Sequence, residues 1–201
     1  MKQVIASFSY IFHPLWMPLL GVCSFFWVSP RYINMPLLYA KLFATVIMTI
    51  VIPILSYYMF KNLRLVQSPN LSRVEERRFP LLLQITFIIL ILRIVFKGYE
   101  FPEIHYFFVG ILGALLAALF LAIAKFKTSL HVVGISGLFM FIVGLSIHYN
   151  KNLIVLLAAL ILAVGATATS RLELKAHTYP EIIVGFFVGT LPQLLTFTYW
   201  L

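Results

Sequence analysis

Seven apolar runs dominate the chain, at approximately residues 5–28, 36–60, 80–97, 104–125, 131–148, 152–169 and 181–200, with short polar stretches between them. A helix needs about 20 apolar residues to cross the roughly 30 Å hydrocarbon core of a bilayer. The pattern therefore predicts an all-α, polytopic transmembrane helix bundle with residues 1–201 as one domain. The third and fifth runs are short and need tilt or help from their polar flanks, which leaves six to seven spans. The first run contains Pro14 and Pro18, but its length and the lack of a small-residue cleavage site favour a spanning helix over a signal peptide. Gly110 and Gly113, Gly134 and Gly137, and Gly185 and Gly189 recur at helical spacing and suit close helix packing in lipid.

If all seven runs cross, the N-terminus and the segments 61–79, 126–130 and 170–180 share one side. That side gathers Lys2, Lys61, Arg64, Arg73, Arg77, Arg78, Lys125, Lys127, Arg171 and Lys175, against Arg31, Lys97 and Lys151 opposite. Taken literally, the positive-inside rule makes the crowded side cytoplasmic. Several of these cations are also candidates for holding an anion, and without them the asymmetry is slight.

Composition narrows the picture further. At 62% hydrophobic and 10% charged, with a mean hydropathy of +1.02, the chain lies outside the range of soluble domains. Its net charge of +9 comes from 15 basic and 6 acidic residues, and every acidic residue is Glu. With no Asp, few Glu and the single thiol of Cys23, a hydrolytic metal centre would be short of ligands. No metal and no cofactor are expected.

Three polar clusters fall on the crowded side. In "SRVEERRFP", Ser72 and Glu75 fit a capping box that would start a helix, placing Arg73, Arg77 and Pro80 on one face. These arginines either pair locally or form a guanidinium clamp suited to phosphate oxygens. In "KTSLH", Lys127, Ser129 and His131 alternate, so an extended loop would point all three the same way. In "SRLELKAHTYPE", Thr178 and Glu181 fit a second capping box, with Pro180 in the first helical turn. Alternatively Glu181 orients His177 at a helix N-terminus that favours a bound anion. Together the clusters supply two histidines, arginines, a lysine, a serine and a carboxylate, the inventory for metal-free phosphoryl transfer through a histidine nucleophile. His13, His105 and His148 read as interfacial or kink-satisfying groups, and Glu100 and Glu103 fall on the opposite side without an assigned role.

Ser170, Arg171, His177 and Glu181 spell S-R-x5-H-x3-E, which resembles the third signature, S-R-x5-H-x3-D, of the type 2 phosphatidic acid phosphatase superfamily. Ser129 and His131 resemble its second signature, P-S-G-H, with Thr128 and Leu130 in place of Pro and Gly. The first signature, K-x6-R-P, is matched only by Arg73 and Arg77 ahead of Pro80, with Arg78 beside them. The resemblance covers roughly residues 72–190.

This resemblance implies a membrane lipid-phosphate phosphatase. His177 would attack phosphorus to give a phosphohistidine, Glu181 would hold its ring, and His131 would protonate the leaving oxygen. Arg171, Arg73, Arg77, Lys127, Ser129 and Ser170 would bind the phosphate. The implied partners are an amphiphilic lipid phosphate and membrane lipids, with no nucleic acid, and the implied location is a bacterial cytoplasmic (inner) membrane. The altered signatures leave open a protein that binds or transports a phosphate lipid without turnover, and helix caps alone would suit a structural membrane protein.

Overall fold

In the computed structural model, residues 8, 9, 11–66 and 73–201 are described, and they form a helical bundle without strands among them. We number its helices α1 Met17–Val28, α2 Met35–Asn62, α3 Glu75–Val95, α4 Pro102–Ile123, α5 Leu130–His148, α6 Ile154–Glu173 and α7 Tyr179–Tyr199. Helices α2 to α7 have 19 to 28 residues each and are long and apolar enough to cross a membrane. The protein is an integral membrane protein. The third run reaches span length because its charged flank, Glu75 to Arg78, is helical.

The first run is not one continuous helix. Trp16 N–H bonds the His13 carbonyl and Met17 N–H bonds that of Pro14, so a turn separates residues 8, 9 and 11 from α1. Pro14 and Pro18 supply no backbone donors, which explains the break. The segment nevertheless runs from one end of the bundle toward the other. Ser9 meets Ser170 near the end of α6, whereas Arg31, just past α1, meets Glu103 at the start of α4.

Helix α2 bends at its middle for local reasons. Thr45 and Thr49 bond back to the carbonyls of Lys41 and Thr45, both at 2.8 Å, a pattern that tilts a helix. A wide turn over Ile47–Val51 follows, and Pro53 then lacks the donor for a regular bond. The bend turns Pro53, Tyr57 and Phe60 toward an internal cavity.

Small residues fix the packing of α5 on α7. A Cβ on Gly185 would meet the Ser129 backbone, and one on Gly189 would collide with Ser136 and the Val133 carbonyl. On the other flank of α7, Gly110 and Gly113 of α4 abut Gln193 and Pro192. Their sequence spacing anticipates these contacts. Phe25, Phe96, Phe107, Phe108 and Phe141 fill the core, and Phe107 stacks on Phe141 at 4.2 Å between ring centroids.

Four helices end alike. After α2, α4, α5 and α6, Arg64, Lys125, Asn150 and Lys175 adopt φ of 60°, 62°, 48° and 50°. The flanking amides bond the last helical carbonyls in the paired pattern of a Schellman cap, as in Lys175 N–H to Leu172 and Ala176 N–H to Arg171. Three of these residues are basic and exposed, and those three share one end of the bundle. Helix alternation puts the loop residues 63–66, 73–74, 124–129 and 174–178 there, and those at 29–34, 96–101 and 149–153 opposite, as the parity of the apolar runs predicts.

Candidate functional site

At the first of these ends, three segments converge on His177. The cap of α6 folds the chain back so that both Ala176 and His177 amides bond the Arg171 carbonyl, at 3.1 and 3.3 Å. This fixes the histidine beside the arginine six positions before it. The chain then enters α7, where Glu181 lies one helical turn past His177. His177 Nδ1–H donates to Glu181 Oε2 at 2.6 Å, and Thr178 N–H reaches the same oxygen at 3.3 Å. One carboxylate oxygen thus caps the helix and orients the ring, so both sequence readings of Glu181 hold at once. Glu181 takes Nδ1 and leaves Nε2 as the ring nitrogen available for chemistry.

Arg77, Arg171, His131 and His177 line a common cavity with His13. Arg77 is buried at the start of α3 and donates to the Thr128 carbonyl, which ties α3 to the loop before α5. Arg171 is buried in the last turn of α6, where the helix dipole favours a cation. His13 stands edge-on to His131, with ring centroids 5.0 Å apart. On its other side His177 borders an open groove with Lys127, Glu173 and Lys175.

Charge around His177 is unbalanced toward cation. Burial, and then the charges of Arg77, Lys127 and Arg171, push its pKa down to about 4, against the raising effect of the bond to Glu181. At neutral pH the ring is neutral. Lys127 is likewise drawn below the ordinary lysine range, first by burial and then by Arg77. Among the described residues, Arg77, Lys127 and Arg171 act together on His177, and this positive surrounding favours an anion.

Other predicted members stand elsewhere. Arg73 is exposed and lies before the helix, because residues 75–77 form a tight 3-10 turn and the α-helix begins at Arg78. Arg73 and Arg77 therefore do not share a helical face, and Ser72 of the expected capping box lies outside the described residues. Lys127, Ser129 and His131 do not converge. Lys127 Nζ donates to the Ala176 carbonyl at 2.9 Å. Ser129 is fully buried against Gly185, with its amide on the Glu181 carbonyl at 3.3 Å and, among the described residues, no partner for its hydroxyl. His131 alone faces the cavity, from the first turn of α5. The Ser170 hydroxyl is shared with Ser9 at 2.6 Å and is enclosed.

His13 is the member that sequence reasoning missed. Its Nδ1 accepts a bond from Leu15 N–H at 3.4 Å, so it does satisfy the proline break, as its neighbour Pro14 suggests. The same break turns its ring to His131. At the opposite end, Glu103 Oε1 accepts from Arg31 at 2.7 Å and from the Tyr149 hydroxyl at 2.8 Å, with His148 Nε2 at 3.4 Å. Burial and the Glu103 contact push Tyr149 up to about 12, with Ser29 and Arg31 acting the other way. Buried Lys41 bonds Glu100 at 2.9 Å and the Val95 carbonyl at 2.5 Å. A lysine inside an apolar run needs such a partner, which was the available signal.

No cluster of three or more His, Cys, Asp or Glu residues suited to a metal occurs among the described residues. No family model, curated protein or solved structure matches this chain.

Proposed function

We propose that the protein is a membrane lipid-phosphate phosphatase related to the type 2 phosphatidic acid phosphatases, working in a bacterial cytoplasmic (inner) membrane. The observation that carries this reading is the 2.6 Å bond between His177 Nδ1 and Glu181, made beside the cavity that His177 lines with Arg77 and Arg171. A neutral imidazole held at Nδ1 by a carboxylate presents its Nε2 lone pair, the arrangement of a histidine oriented in a catalytic triad.

In this reading Nε2 of His177 forms a bond to phosphorus while the bond from phosphorus to the leaving oxygen breaks. That oxygen takes a proton from cavity water, relayed through the His131 ring, which gives one proton as it takes another. Arg77 and Arg171 neutralise the equatorial oxygens, and each such donor is worth about 2.7–4 kcal/mol in comparable anion holes. Lys127 adds longer-range charge. Water from the open groove then cleaves the phosphohistidine, releasing inorganic phosphate and restoring the ring.

The test is phosphate release from a panel of lipid phosphates by purified protein in liposomes with a chelator present. His177→Ala is expected to lower the rate by about 10³-fold or more, and Arg77→Ala or Arg171→Ala by about 10²-fold. Arg73→Ala is expected to stay within about twofold, since an exposed charge is screened. Undiminished release by His177→Ala would sink the assignment. A second reading, binding or transport of a phosphate lipid without turnover, is favoured by the enclosed hydroxyls of Ser129 and Ser170. Tight lipid-phosphate binding with no release over hours would select it.

A further inference from the structure

The cavity behind His177 is far larger than a phosphate. Its volume is about 440 Å³, within the span of roughly 300–1,000 Å³ usual for small-molecule sites. Beyond the polar end at Arg77, Arg171 and His177 the walls are almost wholly apolar. They continue past Leu81 and Leu115 to Phe107 and Gln193. Gln193 closes the far end, where its Nε2 donates to the Phe107 carbonyl at 3.0 Å.

Length and volume define the occupant. The lining reaches from His177, just before α7, to Gln193 within that helix, and at about 1.5 Å per helical residue the separation along its axis is roughly 20 Å. At about 30 Å³ per water-sized group, the volume holds about 15 heavy atoms. A methylene is of that size. One chain in single file satisfies both figures. Exposed Ile54 and Tyr58 of α2 also line the cavity, so it borders the lipid along the bent helix.

We infer that this cavity is a binding site for a single linear hydrocarbon chain of about 15 carbons, monoacyl or prenyl, carrying its phosphate at Arg77 and Arg171. The inference deepens the proposed function and rests on it for the headgroup. The elements that shape the chain site include the proline break before α1 and the bend of α2, both outside the residues that carry the phosphate-binding resemblance.

Binding is measured apart from turnover, by native mass spectrometry of the full chain released from nanodiscs. The probes are prenyl monophosphates of 5, 10, 15 and 20 carbons, farnesol, inorganic phosphate and dioleoyl phosphatidate. Affinity is expected to rise at least tenfold from 5 to 15 carbons and to level off by 20, with the diacyl lipid weaker than the 15-carbon probe. Farnesol is expected to bind more weakly than its phosphate, and inorganic phosphate more weakly than either. Ala114→Phe, placed in the cavity wall, is expected to remove the gain between 5 and 15 carbons while leaving the 5-carbon probe unchanged. Affinity independent of chain length, or a diacyl lipid bound as well as the 15-carbon probe, would overturn the inference. The chain-length series on the unmodified protein decides the matter even if the substituted chain fails to fold. Binding that follows chain length without any phosphate release would keep the chain site and discard the phosphatase reading.

Discussion

At His177 two influences oppose each other. Burial and three nearby cations disfavour the protonated ring, the bond to Glu181 favours it, and the balance lies at about 4. An unfolded histidine titrates near 6.5. Between about pH 6.5 and 4 the unfolded chain therefore binds the extra proton, so this residue's contribution to stability is full above 6.5 and is lost as pH falls through that window. The nucleophilic form itself persists down to about 4. We expect the acid limb of kcat/KM due to His177 to fall near pH 4, and Glu181→Gln to shift it lower, because the carboxylate bond acts to raise it. A pH–rate profile on a lipid phosphate checks this, and a limb at 6.5 would contradict the charge environment. The pairing of His177 with Glu181 was legible because the spacing sets the histidine just before a capped helix start and the carboxylate in its first turn. The choice of Arg77 over Arg73 was not, since it depends on a tight first turn that shifts the helical register. Nor were the orientations of Ser129 and Ser170, whose surroundings come from α7 and from residue 9.

Elements were easier to read than their irregularities. Apolar runs located all seven helices, because in a bilayer the backbone must satisfy its own hydrogen bonds and a long apolar run can do so only as a helix. The break before α1 and the bend in α2 depend on prolines and threonines acting with neighbours, so the runs alone conceal them. Glycine spacing did mark the seam between α5 and α7. Gly189→Leu is expected to force that seam apart, since a Cβ there has no room. Overpacking of this kind costs about 1–3 kcal/mol. A lowered thermal midpoint in detergent is the readout, and an unchanged midpoint would mean that α5 and α7 pack less closely than described.

Across the whole molecule the polar groups divide between two ends with different work. Around His177 cations outnumber carboxylates and line a cavity, whereas around Glu103 the charges are matched and join α4, α5 and the loop after α1. Glu103→Gln is expected to lower stability by about 1–3 kcal/mol, less than a fully buried pair would cost, because Arg31 is 43% exposed and partly screened. Thermal unfolding measures that loss. Phosphate release at permissive temperature is expected to remain within about twofold, as the substitution lies at the far end of the bundle. Alternation of spans put these two ends in view from the sequence, but partners for Glu100 and Glu103 required Lys41 of α2 and Arg31 of the loop after α1 to be brought across.

Arg64, Lys125 and Lys175 cap their helices in a conformation that glycine adopts freely and that costs a side chain about 1 kcal/mol or more. Each also sets a positive charge against the carbonyl end of its helix, which offsets part of that cost. The rim around the site thus holds several small, separate tensions instead of one. Selection for heat tolerance would pull these three positions toward glycine, and selection for contact with anionic headgroups would pull them back, so the sequence of this rim registers which pressure prevailed.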